Sequence, residues 1–274
     1  MTPTLDVQGL TVQIEGHGPT VVMLHGWPDT LALWDGAVRA LSDGYRCVRF
    51  SLPGFDLAKP PRPVSVNEMC ELVGAVVDAV SPDEPVTLLL HDWGCFFGYE
   101  YAARHPQRVA RVVGTDIGDT NSGAYLKSLK TKEKLMIAGY QLWLAVAWKL
   151  GGWLPGLADR MTRFMARTIG CRTPPERMGW QMNYPYAMQW FGSYGGLRGV
   201  ARVDKVFGPQ IPTLFCFGKR KPFMFHSARW LAALGTTPGS QVQGFDAGHW
   251  LMHQKPELFH ATVRVWLDES TGAA

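Results

Sequence analysis

A chain of 274 residues with 46% apolar and 18% charged residues has the composition of a folded globular protein, large enough for one core or a core with an insertion, and this excludes extended disorder. Its net charge of +4 comes without a basic stripe: Lys219-Arg220-Lys221 is the only tight cluster and reads as a solvated loop, so no nucleic acid is expected as a partner. Five scattered cysteines without a CxxC argue against a disulfide scaffold and a zinc site, and for reduced thiols in a cytoplasmic setting.

The opening stretch, MTPTLDVQGLTVQIEGHGPT, lacks the basic and apolar regions of a signal peptide. TVVMLHG (20–26) and YRCVRFS (45–51) read as buried strands. Ser65 to Val80 is predicted to be a helix: Ser65 and Glu68 make a capping box, and Val66, Met69, Cys70, Val73, Val76, Val77 and Val80 form one apolar stripe. PVTLLLH (85–91), VARVVGTD (109–116), PTLFCFG (212–218) and SQVQGFD (240–246) continue the strand series, and a last helix is predicted from about Pro256 to Leu267. Strands apolar on both faces belong to a parallel sheet covered by helices.

Between about Asp119 and Lys205 this rhythm breaks. The stretch shows no clear strand and holds six of the eleven methionines and five of the eleven tryptophans. It predicts a helical insertion whose large, adaptable side chains cover a pocket for an apolar ligand. The expected division is a core of 1–118 and 206–274 with a cap of 119–205. The most membrane-like run, MIAGYQLWLAVAWKLGGWLPGLA (136–158), is interrupted by Lys149, Gly151, Gly152 and Pro155, short of the roughly 20 apolar residues that span a bilayer. It reads as a buried or lid helix, with weak contact to a membrane surface left open.

LLLHDWGCFFGYEYAARHP (88–106) runs from a buried strand through Asp92 into a helix. A reactive residue at such a turn sits beside the helix N-terminus, whose unpaired N–H groups favour an anion. A simple N-capping aspartate is the plain alternative. HGWPD (25–29) follows another strand; its Trp27-Pro28 bond suits a cis peptide, and its turn is suited to aim the Trp27 N–H at the same point as the Trp93 N–H, making an oxyanion hole. DAGHW (246–250) follows the last strand and offers His249 at the same sheet edge.

With these motifs in this order, the chain resembles the α/β-hydrolase superfamily over nearly its whole length, and within it the aspartate-nucleophile branch of epoxide hydrolases and haloalkane dehalogenases. The resemblance implies an α/β-hydrolase fold: a mostly parallel sheet flanked by helices, with a helical cap inserted between strands. It implies Asp92 as nucleophile, His249 as base, and Trp27 and Trp93 as oxyanion hole. Neither cofactor nor metal is implied. The expected partners are a small apolar substrate and water, without stable membrane insertion; a homodimer is admitted.

Two departures stand out. Leu90 holds the first small position of the usual elbow, as in many dehalogenases. Where relatives place the triad's acid in a G-x-x-D-P pattern, this chain reads Gly218-Lys219-Arg220-Lys221-Pro222, and a lysine cannot orient a histidine. Other members carry the acid after the strand that follows the elbow helix, which nominates Asp116, with Asp119 as runner-up and a structural cap as the plain alternative. Asp246 lies too near His249 in the loop. The family's epoxide hydrolases also carry two cap tyrosines. YQLWL (140–144) nominates Tyr140, and MNYPYAMQW (182–190) nominates Tyr186 over Tyr184 if Pro185 takes the first helical position.

A carboxylate suits attack on a saturated carbon, so plain ester or amide hydrolysis is disfavoured. The leading expectation is opening of an apolar epoxide to a vicinal diol. Haloalkane dehalogenation is the alternative, with N–H donors from Trp93 and from Trp27 or a cap tryptophan. A hydrolase fold that only binds a ligand is the third, motivated by Lys221.

Overall fold

The structure is a computed structural model, and it describes residues 3–200 and 211–271. Eight strands form one sheet: β1 (Thr4–Val7), β2 (Leu10–Glu15), β3 (Thr20–Leu24), β4 (Arg46–Arg49), β5 (Val86–His91), β6 (Val109–Thr115), β7 (Thr213–Gly218) and β8 (Gln241–Phe245), in the order β1-β2-β4-β3-β5-β6-β7-β8. From β4 to β8 every pairing is parallel; β1 and β2 add an antiparallel edge. All six predicted strands are present. The edge pair was not anticipated.

Alternation along the parallel strands divides the core in two. Val21, Met23, Leu89, Val113 and Leu214 face one side, where Trp34, Val38, Phe259 and Trp266 pack from α1 (Asp35–Leu41) and α10 (Pro256–Thr271), with Trp34 just before α1. Val22, Leu24, Leu88, Leu90 and Val112 face the other, against α2 (Val66–Val80) and α3 (Trp93–Arg104). The capping box at α2 is formed: the Glu68 N–H donates to Ser65 Oγ at 3.2 Å, and the Ser65 N–H to Glu68 Oε2 at 2.7 Å. The terminal helix runs on past Leu267 to Thr271.

Between β6 and β7 the described chain is helical: α4 (Gly123–Ser128), α5 (Thr131–Gly151), α6 (Pro155–Thr168) and α7 (Tyr184–Phe191). These helices lie over the carboxyl ends of the strands, since α5 and α7 share cavities with residues that follow β5 and β8. The expected boundary at 205/206 lies outside the described residues. The 136–158 run is two helices, because the chain turns at Gly152–Leu154 before Pro155 opens α6. Only Leu144, Ala145, Ala147 and Gly151 of α5 are buried, so α5 is an outer cover and not a buried helix. Next come α8 (Ala228–Thr236) and α9 (Leu251–Gln254). No described helix is long and apolar enough to cross a membrane.

Candidate active site

Four strand ends deliver the predicted residues to one place. At the end of β5 the chain reverses into α3 through Asp92, whose φ of 52° is the left-handed region that a non-glycine residue adopts at a cost. Such a conformation lifts the side chain out of the helix start. Asp92 makes no side-chain capping bond, so the plain alternative of an N-cap fails. The turn is tight because a Cβ on Gly94 would lie 2.3 Å from the Leu24 carbonyl oxygen and 2.5 Å from that of His25; only glycine lets α3 sit this close to β3.

The loop after β3 closes over the carboxylate. The Trp27 N–H donates to Asp92 Oδ1 at 2.6 Å, and the Trp93 N–H also favours the charged form. Trp27-Pro28 is cis. His25, fully buried, accepts the Leu52 N–H at Nε2 (3.0 Å), so its proton is on Nδ1, which donates to the Gly26 carbonyl at 3.1 Å. Burial lowers its pKa from 6.5 to about 4, which keeps that tautomer neutral. Asp29 extends the brace by accepting from Trp250 Nε1 at 2.8 Å and from the Thr173 hydroxyl.

His249, from the loop after β8, stands between two carboxylates. Its Nδ1 lies 2.5 Å from Asp116 Oδ2 and its Nε2 lies 3.4 Å from Asp92 Oδ2. Burial lowers the imidazole's pKa, but hydrogen bonds and charge from Asp116 and Asp92 outweigh it and lift the value from 6.5 to about 9. Burial likewise pushes Asp92 up, and the imidazolium and the Trp93 N–H more than reverse this. His91 lies 4.5 Å from the His249 ring, centroid to centroid; its Nε2 donates to the His249 carbonyl at 3.2 Å. Burial and the neighbouring imidazolium hold His91 near a pKa of 3.

Of the candidate acids, the structure brings Asp116 to His249 and not Asp119. Asp119 is buried, but its oxygens accept from the Ser227 N–H, the Ser227 hydroxyl and the Ser122 hydroxyl at 2.6–2.7 Å. It pins the start of α8. Asp246 points outward and pairs with Arg220 at 3.2 Å. Reading 219–221 as a solvated loop needs correction at Lys221: its side chain is only 5% exposed, and its ammonium is paired with Asp116 Oδ1, which also accepts the Gly218 N–H at 2.9 Å. Burial opposes the charged form of Asp116, yet Lys221 and His249 hold its pKa far below the usual range.

Tyr140 and Tyr186 line both cavities that contain Asp92, their rings 6.2 Å apart, centroid to centroid. Burial and the Asp92 charge push both phenols upward, so both hydroxyls keep their protons. Pro185 is second in α7, not first, because the helix begins at Tyr184. Two residues span about 200° of helix, so Tyr186 faces Asp92 while Tyr184 turns to Phe55 and Trp148, its hydroxyl buried without a partner among the described residues. Asn183, just before α7, is not among the candidate site residues of the sequence. It accepts the Trp27 indole N–H at 2.7 Å and donates to Thr162 at 2.7 Å, tying the helical insertion to the HGWPD loop.

Two cavities of about 400 and 620 Å³ meet at Asp92, Tyr140, Tyr186 and Phe225. Among the described residues no group of three His, Cys, Asp or Glu is arranged to hold a metal.

Such a sheet, with a side chain in a strained strand-to-helix turn under two converging N–H groups, defines a hydrolase-type α/β scaffold. The family model for the alpha/beta hydrolase fold matches residues 19–166, more than half of the chain, and the chain belongs to that family. It is 31% identical to the cis-3-alkyl-4-alkyloxetan-2-one decarboxylase of Xanthomonas campestris pv. campestris, over 97% of this chain and 95% of that protein. It is 41% identical over 100 residues to the "Probable oxidoreductase EphD" of Mycobacterium tuberculosis, a match that spans 35% of this chain and only 17% of that protein. The Bacillus megaterium epoxide hydrolase in complex with an inhibitor superposes with a TM-score of 0.70 at 19% identity, over 97% of this chain and all of that one.

Proposed function

We propose that this protein hydrolyses an apolar epoxide to a vicinal diol through an ester formed on Asp92. The observation that carries the reading is the convergence of two protonated phenols, Tyr140 and Tyr186, on the cleft that holds Asp92. A strained-ring oxygen needs a proton donor as its C–O bond breaks, and a phenol in a desolvated cleft supplies one. The division into a core and a cap, the latter ending near residue 205, belongs to this reading, as the insertion supplies both phenols.

Asp92 attacks one ring carbon, the C–O bond breaks, and a tyrosine protonates the departing oxygen. The product is a neutral ester. His249 then loses the partner that held it near a pKa of 9, so its proton replaces the one the tyrosine gave. As free imidazole it takes a proton from water, whose oxygen attacks the Asp92 carbonyl carbon. The charge that develops on Oδ1 lies where the Trp27 N–H already donates and beside the Trp93 N–H. Collapse expels the diol oxygen, which His249 protonates, and leaves Asp92 as the neutral acid; its remaining proton passes to His249 and restores the starting carboxylate–imidazolium pair. Epoxide and water are consumed, and the diol leaves.

Halide release has less support, since the Trp27 indole N–H is committed to Asn183 and is not free to hold a leaving anion. A second reading is opening of a strained cyclic ester, favoured by the 31% identity to the oxetanone decarboxylase. Incubation with an aryl epoxide, a bromoalkane and a dialkyl oxetanone separates the three, by diol, bromide, or alkene with carbon dioxide. Single turnover of the epoxide in oxygen-18 water should also leave the label in residue 92; diol without label there would overturn the ester mechanism.

A further inference from the structure

We propose that the outer face of α5 and α6 docks on an anionic phospholipid membrane and takes apolar substrate directly from it. On α5, Leu135, Leu142, Trp143 and Val146 recur at i, i+7, i+8 and i+11, one helical stripe, and all four are exposed. This stripe faces solvent, opposite the buried Leu144, Ala147 and Gly151. A helix apolar on both sides is ordinarily enclosed; here one side is bare among the described residues.

The surface continues across the next turn. Trp153 between the helices is 87% exposed, and Leu157 and Phe164 on α6 are 44% and 56% exposed. Trp143 joins the two helices, its ring 5.8 Å from that of Phe164 and its Nε1 donating to the Met161 carbonyl at 3.0 Å. An exposed tryptophan among aliphatic residues suits the boundary between water and acyl chains.

Charge decides which occupant fits. Residues 119–200 hold eleven Lys and Arg against four Asp and Glu, while the rest of the chain holds sixteen against nineteen. Lys132, Lys134 and Lys149 on α5 and Arg160, Arg163 and Arg167 on α6 belong to these same two helices. An apolar face set among cations binds anionic lipid by burial and attraction together. A second copy would bring an equally basic face against it. The face also runs into the site: the exposed Met136 and Ile169 line the larger cavity at Asp92, and Leu126 and Trp190 line the smaller one. An apolar substrate concentrated in a bilayer would pass from one to the other without crossing water. No described helix spans a membrane, so the attachment is peripheral.

The test is flotation of the full chain with vesicles of phosphatidylcholine alone or mixed with phosphatidylglycerol. The protein should float with the mixed vesicles at 0.1 M salt, at least about tenfold less with phosphatidylcholine alone, and about tenfold less again in the double variant Trp153→Ser, Leu157→Ser. Both side chains are solvent-exposed, so the variant should keep its melting temperature and its turnover of a water-soluble substrate. Absence of flotation at low salt, equal binding to both vesicles, or wild-type binding by a folded variant would overturn the proposal. So would light scattering that shows a dimer split by the same variant. Flotation needs no chemistry at Asp92, so its failure and that of the epoxide reading are separate results.

Discussion

Lys221 and Asp116 form a buried ion pair on the side of the carboxylate opposite His249: the ammonium holds Oδ1, and His249 Nδ1 lies 2.5 Å from Oδ2. From Asp92 the charges run negative, positive, negative, positive. Lys221 thereby takes up part of the Asp116 field that would otherwise stabilise the imidazolium.

Replacement of Lys221 by Met leaves that field to His249 alone, and the imidazole becomes harder to deprotonate. If His249 is the base, the acidic limb of the kcat–pH profile should move up by about one unit, roughly 1.4 kcal/mol of differential stabilisation. Lys221→Arg should keep the limb near its original place. Alkylation, read as single-turnover ester formation, should be little affected. An unshifted limb in a folded Lys221→Met enzyme would reduce the lysine to packing.

Asp92→Asn imitates the charge state of the proposed ester while it removes the proposed nucleophile. His249 then keeps Asp116 but loses Asp92, 3.4 Å from its Nε2, and its pKa should fall from about 9 toward the ordinary 6.5 or below, since burial alone lowers it. Titration of the imidazole carbon protons by NMR reads this directly. Activity should fall by roughly 10⁴-fold or more. A pKa that stays near 9 would mean that the ester form keeps His249 protonated, and the proposed proton bookkeeping would fail.

How legible these features are in the sequence follows from where the forces come from. The central strands β3 and β5 are buried on both faces, and runs such as TVVML and VTLLL declare this locally; β8, expected to be buried in the same way, lies at the sheet edge with only Phe245 fully buried. β1 and β2 form an edge: only Val7 of TLDV is buried, and four residues with one apolar anchor carry little signal. Asp92 and His249 stand at strand ends inside recognisable turns. Lys221 is misread because its burial is decided by Asp116, 105 positions away, while its neighbours Lys219 and Arg220 are exposed as a charged loop should be. His25, inside the HGWPD motif, and Asn183 hold the frame around the site. Their partners Leu52 and Trp27 meet them only in three dimensions.

Tyr140→Phe and Tyr186→Phe should each slow ester formation by about 10²-fold, the lower range of general-acid effects, and the double variant by more. Tyr184→Phe supplies the control. Its hydroxyl is buried without a partner among the described residues, so its loss should leave turnover unchanged and leave stability equal or up to about 1 kcal/mol higher. Rapid-quench detection of the ester distinguishes the three. Equal rates in all of them would remove the phenols from the chemistry.

Stability should decline on mild acidification, before the carboxylates titrate. His25, His91 and His226 have folded pKa values of about 4, 3 and 4 against an ordinary 6.5, each through burial first. Below 6.5 the unfolded chain takes up these protons and the folded one does not, so the stabilisation present above 6.5 is lost as pH falls. Three protons correspond to as much as about 4 kcal/mol per pH unit. His249 has the opposite sign: its contribution is complete below 6.5 and fades as pH rises through 9. Urea midpoints should therefore peak near pH 6.5–7 and drop clearly by pH 5. A flat profile from pH 5 to 7 would contradict the neutral buried histidines.

Gly26→Ala tests the roof over the carboxylate. An added Cβ would lie 2.4 Å from Asp92 Oδ1 and 2.4 Å from the Trp93 nitrogen, distances that no real methyl group holds, and neither neighbour is a flexible side-chain end. Relief requires the HGWPD loop to move away from α3, which takes the Trp27 N–H off Oδ1. In the proposed mechanism the lost donor matters most when charge builds on that oxygen during ester hydrolysis, so kcat should fall by about 10²–10³-fold. Ester formation, which draws negative charge away from Asp92, should fall far less, and the alkylated enzyme should accumulate in the steady state. Intact-mass measurement during turnover reads this balance. A variant that folds, turns over slowly and shows no trapped ester would mean that the two N–H groups orient Asp92 for attack and do not stabilise the second step.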